Sequence, residues 1–318
     1  MTSIIFFGTP DFVVPVLESL VNQPDFQVIA VITQPDQPVG RKQVLTPSPI
    51  KIASEKLNLK VFTPAKLTLE FLVELENHTF QLTNKKQPDL AVLAAYGKII
   101  KPNLLNFPIH GFLNIHPSLL PSWRGATPTL APILRGDPDT GVSFMIMDEL
   151  MDHGPIISQL TKLTINQNEN RQDLTERLFI NAASNLPSII KSYLNSNISH
   201  PQNHDLATFT PILKKQDGFI SWETFRKARS SNEIALEEFP EKLRPIISNI
   251  YSSDLGAKFL HQSCLALSPW PGLWTITPDE KRLKILTTTL QNNQLHPQLV
   301  QLEGSTPTDW SKLSSLHD

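Results

Sequence analysis

The sequence predicts an α/β protein: a larger N-terminal domain built on a mainly parallel sheet, then a smaller domain rich in β-structure. Two observations carry this expectation. Over the first two hundred residues, short apolar runs of strand length alternate with stretches of helical periodicity, the pattern left by parallel strands joined through crossover helices. Between Asn195 and His204 the chain then turns to Ser, Asn, His and Pro without periodic apolar content, which reads as a linker. The boundary is therefore set at residue 205, giving domains 1–205 and 206–318. At 318 residues and 40% hydrophobic composition, the chain has enough apolar material for a substantial core.

Ile4 to Phe7 is the first expected strand, ending at the turn Gly8-Thr9-Pro10. Further strands are expected at Val28 to Ile32, Val61 to Phe62, Leu90 to Ala94, Phe112 to His116 and Val142 to Met147, all short apolar or β-branched runs. Helices are expected near Val13 to Val21, Pro49 to Leu57, Thr127 to Arg135 and Arg171 to Leu194; in the last, Leu174, Leu178, Ile180, Ala182, Ile189 and Ile190 recur at roughly helical spacing. Ile156 to Ile165 should add a strand. The proline-rich stretch from Pro35 to Pro49 reads as an exposed loop. Ile234, Leu236, Phe239, Leu243, Ile246, Ile247 and Ile250 read as a helix packed on the second domain's body, or as a partner surface.

The formal net charge is −2, with 28 Lys and Arg against 30 Asp and Glu, so no global basic field marks the chain as a nucleic-acid binder. Neither half is basic, since residues 1–205 hold 16 of the cations and 18 of the acids, leaving 12 and 12 beyond. Local clusters occur at Arg41-Lys42, at Lys214-Lys215, at Arg226-Lys227 with Arg229, and at Lys281-Arg282 with Lys284. For each, solvated surface charge is the plainer account. A single cysteine, Cys264, excludes a disulfide framework and a four-cysteine zinc site. The opening residues lack the basic start and apolar length of a secretory signal, and no apolar run approaches a membrane span. A cytoplasmic protein with neither metal nor membrane attachment is expected.

The chemical signal lies in Asn114-Ile115-His116-Pro117-Ser118-Leu119-Leu120-Pro121, with Asp152 following in Met151-Asp152-His153-Gly154. Asn114 and His116 are two apart on an expected strand, so both side chains point to one face. In an open parallel sheet, the crevice beyond the carboxyl ends of the strands takes ligands. An amide can donate to an oxyanion, an imidazole can carry a proton either way near neutral pH, and a carboxylate can hold the imidazole in one orientation. The plainer account of His116 is a strand-end histidine satisfied by backbone. Asp148 and Glu149 rival Asp152, which is preferred because Gly154 supplies a permissive turn. Leu93 and Tyr96, at the carboxyl end of another strand, are expected to line the same crevice. Arg124, just ahead of a helix, suits either anchoring of a phosphate or ligand tail, or a structural role. Gly8-Thr9-Pro10 lacks the glycine pattern of a dinucleotide site, and the setting of His200 and His204 beside Pro201 argues against a metal site.

These residues resemble the signature of the folate-dependent formyltransferases: Asn-x-His, then Ser-Leu-Leu-Pro, then a distant Asp. Phe7 to Phe12, Thr33 to Asp36, Leu45 to Lys51, Arg124 to Pro128, Thr140-Gly141-Val142 and Pro269-Trp270-Pro271-Gly272 extend the likeness in order along most of the chain. The resemblance implies a Rossmann-like first domain and a second domain resembling the oligonucleotide-binding (OB-like) β-barrel. That barrel looks shortened, since only 46 residues follow Gly272. The implied reaction carries the formyl group of 10-formyltetrahydrofolate to the α-amine of initiator methionyl-tRNA, in a monomer. Asn114, His116 and Asp152 would be catalytic, Ser118, Leu119, Leu120 and Pro121 would wall the folate pocket, and Arg41 and Lys42 would reach the tRNA. Formyl transfer to a small amine, such as an amino sugar nucleotide or glycinamide ribonucleotide, is the competing implication.

Overall fold

The computed structural model describes residues 1–40, 42–230, 232–313 and 316. In chain order its first strands are β1 (Thr2–Gly8), β2 (Phe26–Ile32), β3 (Gln37–Val39), β4 (Val44–Thr46), β5 (Val61–Phe62), β6 (Leu90–Ala94), β7 (Phe112–His116), β8 (Arg124–Gly125), β9 (Asp139–Ile146) and β10 (Ile156–Thr164). Seven of them form one sheet in the order β10-β9-β7-β6-β1-β2-β5. The five from β7 to β5 in that order run parallel, while β9 lies antiparallel on β7. Every residue of β6 and β7 is buried, which is why these strands read as unbroken apolar runs rather than alternating ones.

The helices are α1 (Val14–Val21), α2 (Pro49–Lys56), α3 (Leu69–Thr83), α4 (Pro102–Leu105), α5 (Leu130–Arg135), α6 (Arg171–Ser196), α7 (Trp222–Arg229), α8 (Arg244–Ile247) and α9 (Gly256–Leu267). Side-chain caps start several of them, α2 and α3 among these. The Ser48 hydroxyl accepts the Lys51 N–H at 3.1 Å ahead of α2, and the Thr68 hydroxyl accepts the Phe71 N–H at 3.3 Å ahead of α3. The sequence expectation omitted α3, whose buried residues are only Phe71, Leu75 and Thr79, a stripe too narrow to show as a periodic apolar face. After β2 the chain moves outward to β5, then returns through α3 to lay β6 on the other side of β1. The strand order therefore reverses between β1 and β6, the place beyond whose carboxyl ends open α/β sheets take their ligands. There Gly8 lies opposite Ala94, and the Thr9 hydroxyl donates to the Tyr96 carbonyl at 3.0 Å.

Contacts divide the chain into two compact units. One holds Met1–Arg124, Gly141–Thr161 and Thr175–Thr208; the other holds Gly125–Thr140, Lys162–Leu174 and Phe209–Asp318. The second contains β11 (Phe209–Thr210) and an antiparallel sheet of β12 (Leu273–Ile276), β13 (Arg282–Gln291), β14 (Gln294–Leu302) and β15 (Thr308–Asp309). Asn292 and Asn293, at φ 49° and 58°, make the tight β13–β14 turn. The α9 helix lies against β13 in this unit, with Cys264 fully buried and its thiol pushed up to about 11 by that burial.

Three expectations are corrected. Residues 234–250 are not one helix, because Pro240 and Pro245 interrupt the backbone bonding; short 3-10 turns at Leu236–Glu238 and Glu241–Leu243 lead instead into α8. The Pro35 to Pro49 loop carries an antiparallel hairpin, β3 on β4, turned at Gly40 with φ 71°. The polar stretch read as a linker is anchored: His200 and Ile156 exchange both backbone hydrogen bonds, at 2.7 and 2.8 Å, and Gln202 is buried. Among the described residues, no helix is long and apolar enough to cross a membrane.

Candidate active site

Asn114 and His116 project from the carboxyl-terminal part of β7, and both converge on one carboxylate. The Asn114 Nδ2 lies 3.4 Å from the Asp152 Oδ1, and the His116 Nδ1 lies 3.5 Å from the same oxygen. Asn114 is 8% exposed and His116 4%, so the trio meets at the carboxyl end of an interior strand with its amide and imidazole buried. The other ring nitrogen of His116, Nε2, is 3.0 Å from the Trp123 carbonyl. A carbonyl only accepts, so Nε2 carries hydrogen and Nδ1 is the atom left to gain or lose a proton. Backbone therefore satisfies one side of this histidine, as the plainer account held, and the other side faces Asp152. At 3.5 Å the contact is longer than a direct hydrogen bond; a proton on Nδ1 makes it a charge-assisted one at modest rearrangement.

The rival carboxylates are engaged elsewhere. Asp148 bonds the His153 Nδ1 at 2.6 Å and accepts the Leu150 N–H at 3.0 Å, while Glu149 is exposed. Gly154 acts differently from the expectation. It is not left-handed; Asp152 itself takes φ 50°, and Gly154 is required because a Cβ there would come within 2.0 Å of the Ile146 carbonyl oxygen. The close approach fixes where the loop returns to β9, and so where Asp152 points.

The residues expected to wall a folate pocket divide. Ser118 is fully buried, with its hydroxyl donating to the Ser122 carbonyl at 2.7 Å. Tyr96 is also fully buried, edge-on to Phe7 at 5.4 Å between ring centroids, and burial pushes its phenol up to about 12. Both side chains are therefore enclosed by protein rather than open to a ligand. Leu119 and Pro121 stay partly exposed, while Leu93 and Leu120 are almost wholly buried. The Ser143 hydroxyl and the Gln159 amide clamp this loop, reaching the Leu120 N–H and carbonyl at 2.9 and 3.0 Å. Lys42 is exposed at the hairpin, and Arg41 lies outside the described residues. Among the described residues, no cluster of three or more His, Cys, Asp or Glu is placed to hold a metal.

Sequence reasoning missed Gln202, and weighed His204 only as a metal ligand, which it argued against. Arg124, 4% exposed, donates through Nε and Nη2 to the Gln202 Oε1 and through Nη2 to the His204 Nδ1. Its guanidinium is thus enclosed by the protein, which favours the structural role over anchoring of a phosphate. The His204 ring stacks on His153 with centroids 3.8 Å apart. Both residues sit in the stretch taken for a linker, where no local pattern marks Gln202 and the spacing of His200 and His204 suggested only a metal.

A mainly parallel sheet with an amide, an imidazole and a carboxylate gathered beyond a strand end defines an α/β enzyme equipped for group transfer. The chain belongs to the formyl transferase family, whose description matches residues 1–190. It is 41% identical over 220 residues to a methionyl-tRNA formyltransferase of Chloroflexus aurantiacus, covering 69% of this chain and 68% of that one. To the methionyl-tRNA formyltransferase of Staphylococcus epidermidis it is 36% identical over 295 residues, covering 90% and 79%. An N-formyltransferase from Helicobacter canadensis, solved with folinic acid and dTDP-3-aminofucose, shares the fold with a TM-score of 0.57 at 20% identity, over 92% of this chain and 89% of that one.

Proposed function

We propose that the protein transfers the formyl group of 10-formyltetrahydrofolate to the α-amine of initiator methionyl-tRNA, giving N-formylmethionyl-tRNA for translation initiation. The convergence of Asn114 and His116 on Asp152 carries the chemistry, and the names of the curated relatives carry the acceptor. The amine nitrogen attacks the formyl carbon, a tetrahedral oxyanion forms, and the bond from that carbon to the folate N10 breaks as N10 gains a proton. An amide has two N–H groups, and Asp152 occupies at most one on Asn114. The other donates to the oxyanion, an interaction worth roughly 3 kcal/mol. His116 takes the amine proton at Nδ1 and returns it to N10, with Asp152 facing the charged ring. A free α-amine titrates at about 7.7 to 8.0 and a neighbouring ester lowers that, so no strong base is required.

The Ser118 to Pro121 backbone, with Leu93 and Leu119, forms the wall for the flat, polar pterin, and Tyr96 supports it from below. Arg41 and Lys42, together with residues 206–318, hold the tRNA. On this account the enzyme works in the cytoplasm as a monomer without a metal. The net charge of −2 favours the second reading, a small amine as acceptor. Incubation with labelled 10-formyltetrahydrofolate and, separately, initiator methionyl-tRNA, free methionine and amino sugar nucleotides decides between them. Label should appear in the tRNA ester; label confined to a sugar nucleotide would overturn the acceptor assignment.

A further inference from the structure

We infer that Gln202 is a positioning residue for the Asp152 carboxylate, itself set in place by the buried guanidinium of Arg124. The orientation of its amide follows from its partners. A guanidinium only donates, so the oxygen that meets the Arg124 Nε at 3.2 Å and Nη2 at 2.7 Å is Oε1. Carbonyls only accept, so the nitrogen that meets the Asp152 and Gly154 carbonyls at 2.9 and 2.8 Å is Nε2. Both N–H groups of the amide are thus committed to the two carbonyls that bracket His153. With Gln202 only 6% exposed, water cannot readily replace these bonds.

The segment it holds needs holding. Asp152 sits at φ 50°, a left-handed conformation that an aspartate adopts at a cost, and its side chain must reach both Asn114 and His116 from there. The Gly154 contact with Ile146 fixes the loop on one side, and the Gln202 amide fixes it on the other. Arg124 is indirect: it keeps Oε1 turned away from the loop, so that the donors cannot flip. The His204 ring, accepting from Arg124 and stacked on His153, closes the circle from the same polar stretch.

The inference rests on the formyl-transfer reading only for its kinetic arm. Gln202→Glu is the sharp variant, since it keeps the shape and pairs with Arg124 as an ion pair while replacing both donors with an acceptor. Gln202→Met, which lacks both donors and any charge, serves if the glutamate variant does not fold. In wild type against variant, kcat for formyl transfer should fall by about a hundredfold, with KM for donor and acceptor held within about twofold. In an Asp152→Asn background the same change should cost less than about threefold, because its effect passes through the carboxylate. The crystal structure of the variant should show the Asp152 carboxylate withdrawn from Asn114 and His116. Equal losses in both backgrounds, an unchanged kcat, or an unmoved carboxylate would each overturn the inference. If wild type formylates no methionyl-tRNA, the proposed acceptor fails, and the position of Asp152 in the variant structure still decides the role of Gln202.

Discussion

His116 bonds a backbone carbonyl through one nitrogen and faces a carboxylate through the other, so its two sides do separate work. Removing the ring with His116→Ala, or the donor with Asn114→Ala, should each lower turnover by at least about a hundredfold. Fold and folate affinity should be largely kept, which circular dichroism and a folate titration check. Asp152→Asn keeps the size and removes the charge facing His116, so it should fall in the same range. Asp148→Asn should be far milder, because Asp148 contacts His153 and the Leu150 N–H rather than the trio. Single-turnover transfer on the four variants separates these cases, and a crippled Asp148→Asn beside an active Asp152→Asn would reverse the carboxylate assignment.

At the scale of elements, the β3–β4 hairpin turns a proline-rich loop into a projecting ribbon, with Val39, Val44 and Leu45 all exposed. If Arg41 and Lys42 each neutralise one tRNA phosphate, replacing both with Ala should make the slope of log binding constant against log salt shallower by up to about 1.8. Titrations of tRNA at several salt concentrations read this directly, and an unchanged slope would leave both as ordinary solvated charges. The α9 helix sets up a different dependence. Its His261 is 6% exposed, bonding the Thr288 Oγ1 at 2.8 Å and the Asn168 Oδ1 at 3.1 Å, and burial lowers its pKa below the ordinary 6.5. The folded ring stays neutral where the unfolded chain already takes a proton. This contribution to stability is full above the unfolded pKa of about 6.5 and is lost as pH falls toward the lower folded value. Thermal unfolding between about pH 7.5 and pH 5 should therefore show Tm falling with acid, and His261→Gln should flatten that fall. A variant curve parallel to wild type would rule His261 out.

For the whole molecule, the division into units matters more than a single boundary in sequence. Leu130, Ile133 and Leu134 of α5 are buried in the unit that also holds α8 and α9, elements that lie against α5. A chain ended at residue 205 would expose these three side chains, at about 1.5–3 kcal/mol each, which together rivals the about 5–15 kcal/mol by which whole domains are stable. Such a chain should aggregate or melt well below the full protein, as calorimetry would show; an unchanged, cooperative transition would mean that the first unit stands alone. The strands β6 and β7 were legible to the residue, because a continuous apolar run buried on both faces is a local property. So was the shared face of Asn114 and His116, which follows from the two-residue period of a strand. The left-handed turn at Asp152, the narrow stripe of α3 and the interleaving of the two units were not legible. The roles of Gln202 and His204 were hidden most completely, since their shared partner Arg124 lies 78 and 80 residues away. Periodicity reports which side of an element is apolar, whereas the partner of a buried polar group depends on where the chain comes back to, and only the folded structure decides that.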